Sequence, residues 1–218
     1  MATPTKRAYD SEKRVARAAT EREVMRDRVV RAATKLFLER GYRATTVSDI
    51  AQEAGVALQS VYNAGSSKVE LLHLVVDAAV AGDSRDVMLV DRPDFAALAD
   101  LDDPPHQVEV LAGLIAATME RLAPIWRTYR EAAAADPAAR DYMLAAHRRR
   151  YETFGQLVAT IDPAALRRSP EHSLDCVWST GSIDVFLLFR DVLGWTPTQY
   201  ADWLRTSLTD QLLAERGA

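Results

Sequence analysis

Two short helical periods separated by a turn at Ala54-Gly55-Val56 constrain the fold of this chain more than any other feature. Thr46 and Asp49 have the spacing of a capping box, which predicts the start of the first helix. Gly55 supplies the left-handed turn that follows it. The second helix is predicted at about Leu58 to Ala64. This arrangement is typical of a helix-turn-helix, whose second helix lies in the major groove of DNA.

An amphipathic helix is predicted before this motif, from Arg22 to an end at Gly41. Its apolar face consists of Val29, Ala33, Leu36 and Phe37. The three helices together form a predicted DNA-binding domain over residues 21–67. Residues 1–20 are predicted to form a flexible basic arm. The Lys and Arg residues between Lys6 and Arg28 are expected to add affinity that does not depend on DNA sequence.

The spaced residues of this stretch read A-A-x-x-L-F-x-x-x-G-Y-x-x-T-T-V-x-x-I-A-x-x-A-G-V, followed by V-Y-x-x-x-x-S-K-x-x-L-L. They resemble the tetracycline-repressor (TetR) family of bacterial transcriptional regulators over roughly residues 24–80. The segment W-S-T-G-S-I-D-V-F-L-L-F-R-D-V-L-G-W-T-P-T-Q-Y-A-D-W-L also resembles one subgroup of the family. The resemblance implies a ligand-responsive, sequence-specific regulator. It favours a repressor that a small-molecule effector releases from a palindromic operator.

The residues predicted to contact DNA form two sets. Phosphate anchors flank the second helix, as Tyr and Lys do at matching positions in the family, and are Thr46, Tyr62 and Lys68. The outward face of the second helix, expected at the base edges, carries Leu58, Gln59, Ser60 and Asn63.

Two positions depart from the family pattern. Ala57 stands where the family has a Ser or Thr cap for the second helix, which removes about 1 kcal/mol of capping energy. Gly65 stands where most members have an aromatic residue. These departures leave open an alternative, a helical ligand-binding or enzymatic protein that retains a degenerate helix-turn-helix as a scaffold.

The charge of the chain is unevenly distributed. The net charge is −4, which alone argues against nucleic acid, yet residues 1–68 contain 13 Lys and Arg against 8 Asp and Glu. The remaining 150 residues contain 14 Lys and Arg against 23 Asp and Glu. A basic head therefore precedes an acidic body, as expected if only the head meets DNA.

Residues 68–218 are predicted to form an all-α ligand-binding and dimerisation domain. A helix is expected from Lys68 to Ala81, then a loop from Gly82 to Asp102. A capping side chain precedes a proline at five helix starts, which are Asp103-Pro104, Asp136-Pro137, Asp162-Pro163, Ser169-Pro170 and Thr196-Pro197. Pro124 is expected to kink or split the segment between Pro105 and Ala134.

Large apolar side chains with polar tips suggest an effector pocket in the body, although for any one of them plain core packing is the favoured explanation. They are Met119, Trp126, Tyr129, Met143, His147, Tyr151 and Trp178. The run from His147 to Arg150 is interpreted as a solvated helix face or, alternatively, as a site for an anionic ligand.

The last two helices are predicted to pair with those of a second copy, as in the family, while ordinary intrachain core remains the alternative. The predicted interface consists of Phe186, Phe189, Trp195, Tyr200, Trp203, Leu204, Leu208 and Leu212.

Catalysis is not expected, because no two histidines have metal-ligand spacing and no phosphate loop or nucleophile motif is present. No cofactor is predicted. The single cysteine, Cys176, excludes an intramolecular disulfide. No membrane span or signal peptide is predicted, so the expected location is the cytoplasm.

Overall fold

The computed structural model describes residues 6–85, 87 and 92–215. Regular structure in these ranges is helical, apart from an isolated antiparallel bridge between Leu166 and Leu213. The all-α fold class is therefore confirmed. The chain forms two compact units, Met1–Ala78 with Asp83–Arg85 and Ala79–Gly82 with Asp86–Ala218. The first unit includes most of the helix that the sequence analysis assigned to the second domain.

The first unit consists of α1 (Lys6–Ala44), α2 (Val47–Ala54), α3 (Leu58–Ala64) and the greater part of α4 (Lys68–Ala81). The helical path of α1 is broken at Gly41, where φ is 77°. The predicted apolar face of α1 is confirmed, since all four of its residues are buried. Ile50 of α2, Val61 of α3 and Leu72 of α4 are also fully buried in this unit.

The helix α1 begins at Lys6, well before the predicted start at Arg22. Helix-favouring Ala, Arg and Glu residues are frequent in this stretch, and Arg17 Nε donates to Glu21 Oε1 at 2.8 Å one turn later. The predicted arm is therefore helical from Lys6 onward. Its first five residues lie outside the described part of the chain, and its mobility stays a prediction.

The second unit is built around the long helix α6 (Pro104–Ala135). The other helices are α5 (Pro93–Ala99), α7 (Pro137–Val158), α8 (Pro170–Thr180), α9 (Ile183–Leu187) and α10 (Pro197–Leu212). A 3-10 turn (Pro163–Ala165) precedes α8, and a π-helical turn (Leu188–Val192) directly follows α9. α6 packs against α5, α7, α9 and α10, while α8 packs against α7 and α10.

The five predicted helix starts at a capping residue and a proline are confirmed. In each, the capping side chain accepts a hydrogen bond from a backbone N–H of the first turn. The cap of α10 is a full capping box between Thr196 and Gln199. These caps satisfy amides that a helix cannot satisfy itself, and the proline at the first turn needs no partner for its nitrogen.

Two expectations about helix boundaries change. Of the kink or split expected at Pro124, the split does not occur, because α6 is one continuous helix through the proline. The buried neighbours Ala123 and Ile125 anchor the helix on both sides of the proline. The predicted loop from Gly82 to Asp102 contains α5, which Pro93 initiates and which buries Phe95 and Leu98.

Candidate functional site

The turn between α2 and α3 is fixed by hydrogen bonds at both ends of α2. The N–H of Asp49 donates to Thr46 Oγ1 at 3.1 Å, while the N–H and hydroxyl of Thr46 donate to Asp49 Oδ2 at 3.0 and 2.7 Å. The predicted capping box is thus confirmed. These bonds also lower the pKa of the Asp49 carboxyl, since they favour its charged form.

The far end of α2 is held by α1. Gly55 adopts the predicted left-handed conformation, with φ 62° and ψ 42°. Arg28 Nη2 donates to the carbonyls of Ala54 at 2.7 Å and Gly55 at 3.1 Å. A cation at these carbonyls also stabilises the C-terminus of a helix. Arg28, which was predicted to add affinity that does not depend on DNA sequence, therefore serves the internal geometry of the motif.

α3 has one buried side and one solvent-exposed side, as predicted. Val61 is fully buried, whereas Leu58 and Tyr62 remain 44% and 42% exposed. Gln59 and Asn63 are exposed and Ser60 is half-buried. Gln59 Nε2 donates to Asn63 Oδ1 at 3.2 Å, so the two amides lie side by side along the helix. The Gln59 oxygen and the Asn63 amino group remain available for base edges.

Both departures from the family pattern have structural consequences. Ala57 has the extended backbone of an N-cap residue but offers no side-chain bond to α3. Gly65 is buried, and a Cβ atom there would lie 3.0 Å from Leu71 Cδ2 and 3.2 Å from the Leu71 nitrogen. Leu71 of α4 therefore occupies the space next to Gly65, and α3 forms without an aromatic residue at that position.

Lys68, at the start of α4, is oriented by Tyr42. Its Nζ donates to the Tyr42 carbonyl at 3.0 Å and lies 4.4 Å from the centre of the Tyr42 ring. An ammonium has three N–H groups, so this bond leaves two for a phosphate. Thr46, the second predicted anchor, already donates its hydroxyl and amide to Asp49. Its role as a phosphate anchor stays a prediction.

Some basic residues of the first unit form ion pairs within the protein, whereas others remain exposed to solvent. Lys35 Nζ is 2.7 Å from Glu53 Oε1, and this ion pair joins α1 to α2. Arg43 is exposed near the end of α1, three residues before Thr46, without a hydrogen bond or ion pair to the described residues. Arg43 was not among the residues predicted from the sequence to contact DNA. Its position three residues before Thr46, the first residue of the predicted capping box, could have indicated it as a candidate phosphate contact.

The predicted effector residues lie in the second unit, on α6, α7 and α8. Met119, Trp126 and Tyr129 of α6 are buried, and Met143 and His147 of α7 are half-buried. The Trp126 ring meets the Tyr129 ring edge-on at 5.6 Å and the His147 ring at 6.0 Å. Burial lowers the pKa of His147, because it disfavours the charged ring.

Tyr151 and Trp178 form a second aromatic pair, at 6.0 Å between ring centres. Tyr151 is 38% exposed, and its hydroxyl donates to Asp175 Oδ1 at 2.9 Å. This bond raises the pKa of Tyr151, because the hydroxyl must keep its proton to donate it. Tyr151 thus directs its polar end toward the surface, and a role in ligand contact stays a prediction for it and for the other six residues.

The predicted dimer contacts require a correction. Phe186 of α9 is fully buried within the chain, as are Tyr200, Leu204, Leu208 and Leu212 of α10, and both helices pack against α6. Because they have almost no accessible surface, they cannot form an interface with another copy. The alternative of intrachain core is correct for these five.

Phe189, Trp195 and Trp203, the other predicted contacts, are half-buried. The Phe189 ring lies 4.3 Å from both Trp195 and Trp203. The residues exposed beside them are Leu188, Val192 and Leu193, at 61%, 71% and 61%. We call these three residues the π-turn face.

Comparison with known proteins identifies the first unit. The family model for bacterial regulatory proteins of the tetR family matches residues 29–75, which include α2 and α3. Over 56 residues the chain is 39% identical to the HTH-type transcriptional regulator AlkX of Mycobacterium tuberculosis, a match that spans 26% of each protein. Over residues 29–75, the chain therefore carries a domain of the tetR family of bacterial regulatory proteins.

Solved structures resemble this chain over most of its length. A candidate TetR-family transcriptional regulator from Mesorhizobium loti has a TM-score of 0.64 at 17% identity, over 87% of this chain and 95% of its own. NalD, the secondary repressor of the MexAB-OprM multidrug efflux pump in Pseudomonas aeruginosa, has a TM-score of 0.61 at 22% sequence identity. The match covers 89% of this chain and 98% of NalD. A candidate transcriptional regulator from Saccharomonospora viridis, solved in complex with choline, has a TM-score of 0.63 at 18% sequence identity. The match covers 87% of this chain and 98% of that protein. These proteins share the two-part helical fold.

In the described part of the chain, no cluster of His, Cys, Asp or Glu residues could hold a metal ion. No helix in those residues is long and apolar enough to cross a membrane.

Proposed function

We propose that this TetR-family protein is a ligand-responsive, sequence-specific transcriptional regulator. It binds a palindromic operator as a homodimeric repressor, and a small-molecule effector releases it. The observation that carries this proposal is α3, which presents Gln59, Tyr62 and Asn63 to solvent on a helix that Val61 anchors in the core.

The charge of the first unit supports DNA as its partner. Residues 1–68 carry a net positive charge although the chain as a whole is acidic. Lys68 stands at the start of α4 with spare N–H groups, and Arg43 is exposed near the start of α2. Cations on either side of α3 would meet the phosphates that border a major groove.

A second copy of the chain is the partner proposed for the π-turn face. Three adjacent large apolar side chains are mostly exposed there, next to the aromatic cluster of Phe189, Trp195 and Trp203. Two copies related by a two-fold axis would present two α3 helices to the two half-sites of a palindrome.

The helical second unit is the proposed effector-binding region. Its aromatic side chains on α6, α7 and α8 include buried polar atoms, which is the composition of a small-molecule site. A neighbour with the same fold was solved with choline, so an architecture of this kind can accompany a small ligand.

Selection from random DNA duplexes tests the proposal. The full-length protein should enrich a palindrome with half-sites about one helical turn apart. The double variant Gln59→Ala with Asn63→Ala should lose the enrichment and keep salt-sensitive, sequence-independent binding. Absence of duplex affinity even at low salt would contradict the proposal and favour a protein that keeps the helix-turn-helix as a scaffold.

A further inference from the structure

Arg150 of α7 is a half-buried cation without an ion-pair partner among the described residues. Its Nη2 donates to the Trp178 carbonyl at 2.7 Å and its Nη1 to the Gly181 carbonyl at 3.2 Å. No carboxylate among the described residues lies within ion-pair distance of it. Asp184 acts on it electrostatically, but that carboxylate is exposed and lies 3.6 Å from Arg130. Burial lowers the pKa of Arg150 to about 10, because the charged guanidinium is partly desolvated.

Three of the five N–H groups of Arg150 remain after these two bonds. Its Nε is buried and has no hydrogen-bond partner in the described part of the chain. The guanidinium lies 5.1 Å from the Trp178 ring centre and 5.5 Å from the Phe154 ring centre. The cation therefore sits among aromatic rings with its donors incompletely used.

Tyr200 of α10 is a second unsatisfied group of this unit. It is 1% exposed, and its hydroxyl has no partner among the described residues. Tyr200 lies on α10, which packs against α8, the helix whose C-terminal carbonyls Arg150 binds. The Arg150 charge also opposes the upward shift that burial imposes on the pKa of Tyr200. The indole N–H groups of Trp126 and Trp178 are also buried and have no hydrogen-bond partner in the ranges that the structure describes.

The unsatisfied atoms of this group share one chemical property. Arg150 Nε and the two indole nitrogens can only donate, and the Tyr200 hydroxyl can donate as well. Buried donors without acceptors are costly, and a ligand rich in acceptors removes that cost. A cation amid donors and aromatic rings matches a carboxylate attached to an apolar body.

We propose that the effector of the second unit is an organic carboxylate with an apolar body, bound by Arg150 and Tyr200. This inference rests on the proposed function, because it names the chemical class of that effector. Arg150 supplies the charge and its remaining N–H groups. Tyr200 donates its hydroxyl, and the aromatic side chains of α6 and α8 contact the apolar body.

A purely structural role of Arg150 is the competing explanation. The two carbonyls that it binds belong to the C-terminal end of α8, so the guanidinium also acts as a cap of that helix. Tyr200 separates the two explanations. Its hydroxyl has no bond to lose, so Tyr200→Phe leaves the free protein as stable as the parent or more so.

The experiment uses the full chain without DNA and measures binding by calorimetry and thermal shift. The probes are benzoate, phenylacetate and octanoate, each paired with its alcohol, with benzylamine as a cationic control, at up to about 10 mM. At least one carboxylate is expected to bind more tightly than its alcohol, and benzylamine is expected not to bind. Alcohols that bind as well as the acids, or the absence of carboxylate binding, would overturn the proposal.

Variants assign the contacts. Arg150→Gln should weaken the binding of the selected carboxylate about 10- to 100-fold and leave alcohol binding unchanged. Tyr200→Phe should weaken carboxylate binding about 3- to 10-fold in a fully folded protein. Arg140→Gln, an exposed position on the same helix but outside the run from His147 to Arg150, is the matched control and should bind like the parent. Carboxylate affinity unchanged in Tyr200→Phe and Arg150→Gln would refute the assignment.

Failure of the proposed function gives a different result. A carboxylate that binds through Arg150 but leaves operator affinity unchanged would refute regulation and leave the binding site in place. An operator released only by neutral compounds would support the regulator and refute the anionic effector.

Discussion

At the scale of single residues, base recognition is expected to depend on the two side-chain amides of α3. Gln59 donates to Asn63, which orients both amides on the exposed face. Gln59→Ala or Asn63→Ala should therefore relax the preference at one base pair by about 1–3 kcal/mol. Fluorescence anisotropy against operators with single base changes measures this preference. An unchanged preferred sequence in both variants would show that this face of α3 does not read bases.

Lys68 is expected to contribute to affinity without contributing to specificity. Its ammonium is held by the Tyr42 carbonyl, with N–H groups left for a phosphate. Lys68→Gln should weaken binding to all duplexes alike and lower the slope of log affinity against log salt by about one. Lys35→Gln is the control, because Glu53 already neutralises that ammonium. An equal change of slope in both variants would argue against a phosphate contact at Lys68.

At the scale of helices, local sequence chemistry predicted the starts of elements better than their extents. The capping box of Thr46 and the capped prolines, such as Asp103-Pro104, could be identified because each bond joins residues two or three positions apart. The continuity of α6 through Pro124 and the presence of α5 could not be predicted in this way. Both depend on burial against other elements, which a short sequence window does not contain.

The N-terminus of α3 provides a test of capping at a DNA-reading helix. Ala57 already has the extended backbone of an N-cap, with φ −64° and ψ 144°, but no side-chain acceptor. Ala57→Ser should stabilise the first unit by about 1 kcal/mol, since its hydroxyl can accept from a free amide of the first turn. Urea unfolding and hydrogen exchange of the α3 amides measure the gain. Ala57→Val, which adds bulk without an acceptor, should not reproduce it.

At the scale of the whole molecule, sequence periodicity could not separate core from interface. The apolar positions of α10 fit either role, and only the packing against α6 shows that Leu204 and Leu208 are internal. The half-buried Phe189 and Trp203 remain candidates. The π-turn face was harder to predict, because its exposure depends on the π-helical turn that follows α9.

Dimerisation through the π-turn face predicts a specific charge sensitivity. Val192 is 71% exposed, so Val192→Asp should fold normally yet place a carboxylate in the proposed apolar contact. Sedimentation should then show monomers at concentrations where the parent is dimeric, and operator affinity should fall. Leu144→Asp introduces the same charge at an exposed leucine of α7 and should leave the dimer intact. Dimers that tolerate Val192→Asp but not Leu144→Asp would place the interface on α7.

Under the proposed function, effector binding in the second unit changes operator binding by the first, and α4 offers one path because it is continuous from the first unit into the second. Within the second unit, Arg121 of α6 donates through Nε to the Ala79 carbonyl and through Nη2 to the Val80 carbonyl, both at 3.0 Å, at the end of α4. By linkage, effector and operator weaken each other's binding by one common factor, typically about 5- to 150-fold.

Arg121→Gln removes the charge that holds these carbonyls, so it should bring the coupling factor toward one. Affinity for operator alone and for effector alone should each stay within about threefold of the parent, because Arg121 belongs to neither proposed binding surface. Titrating effector into the protein–operator complex, and operator into the protein–effector complex, measures the factor twice. Arg127→Gln, an exposed arginine of the same helix, should retain the parent's factor. A full coupling factor in Arg121→Gln would show that α6 does not act on α4 through this contact.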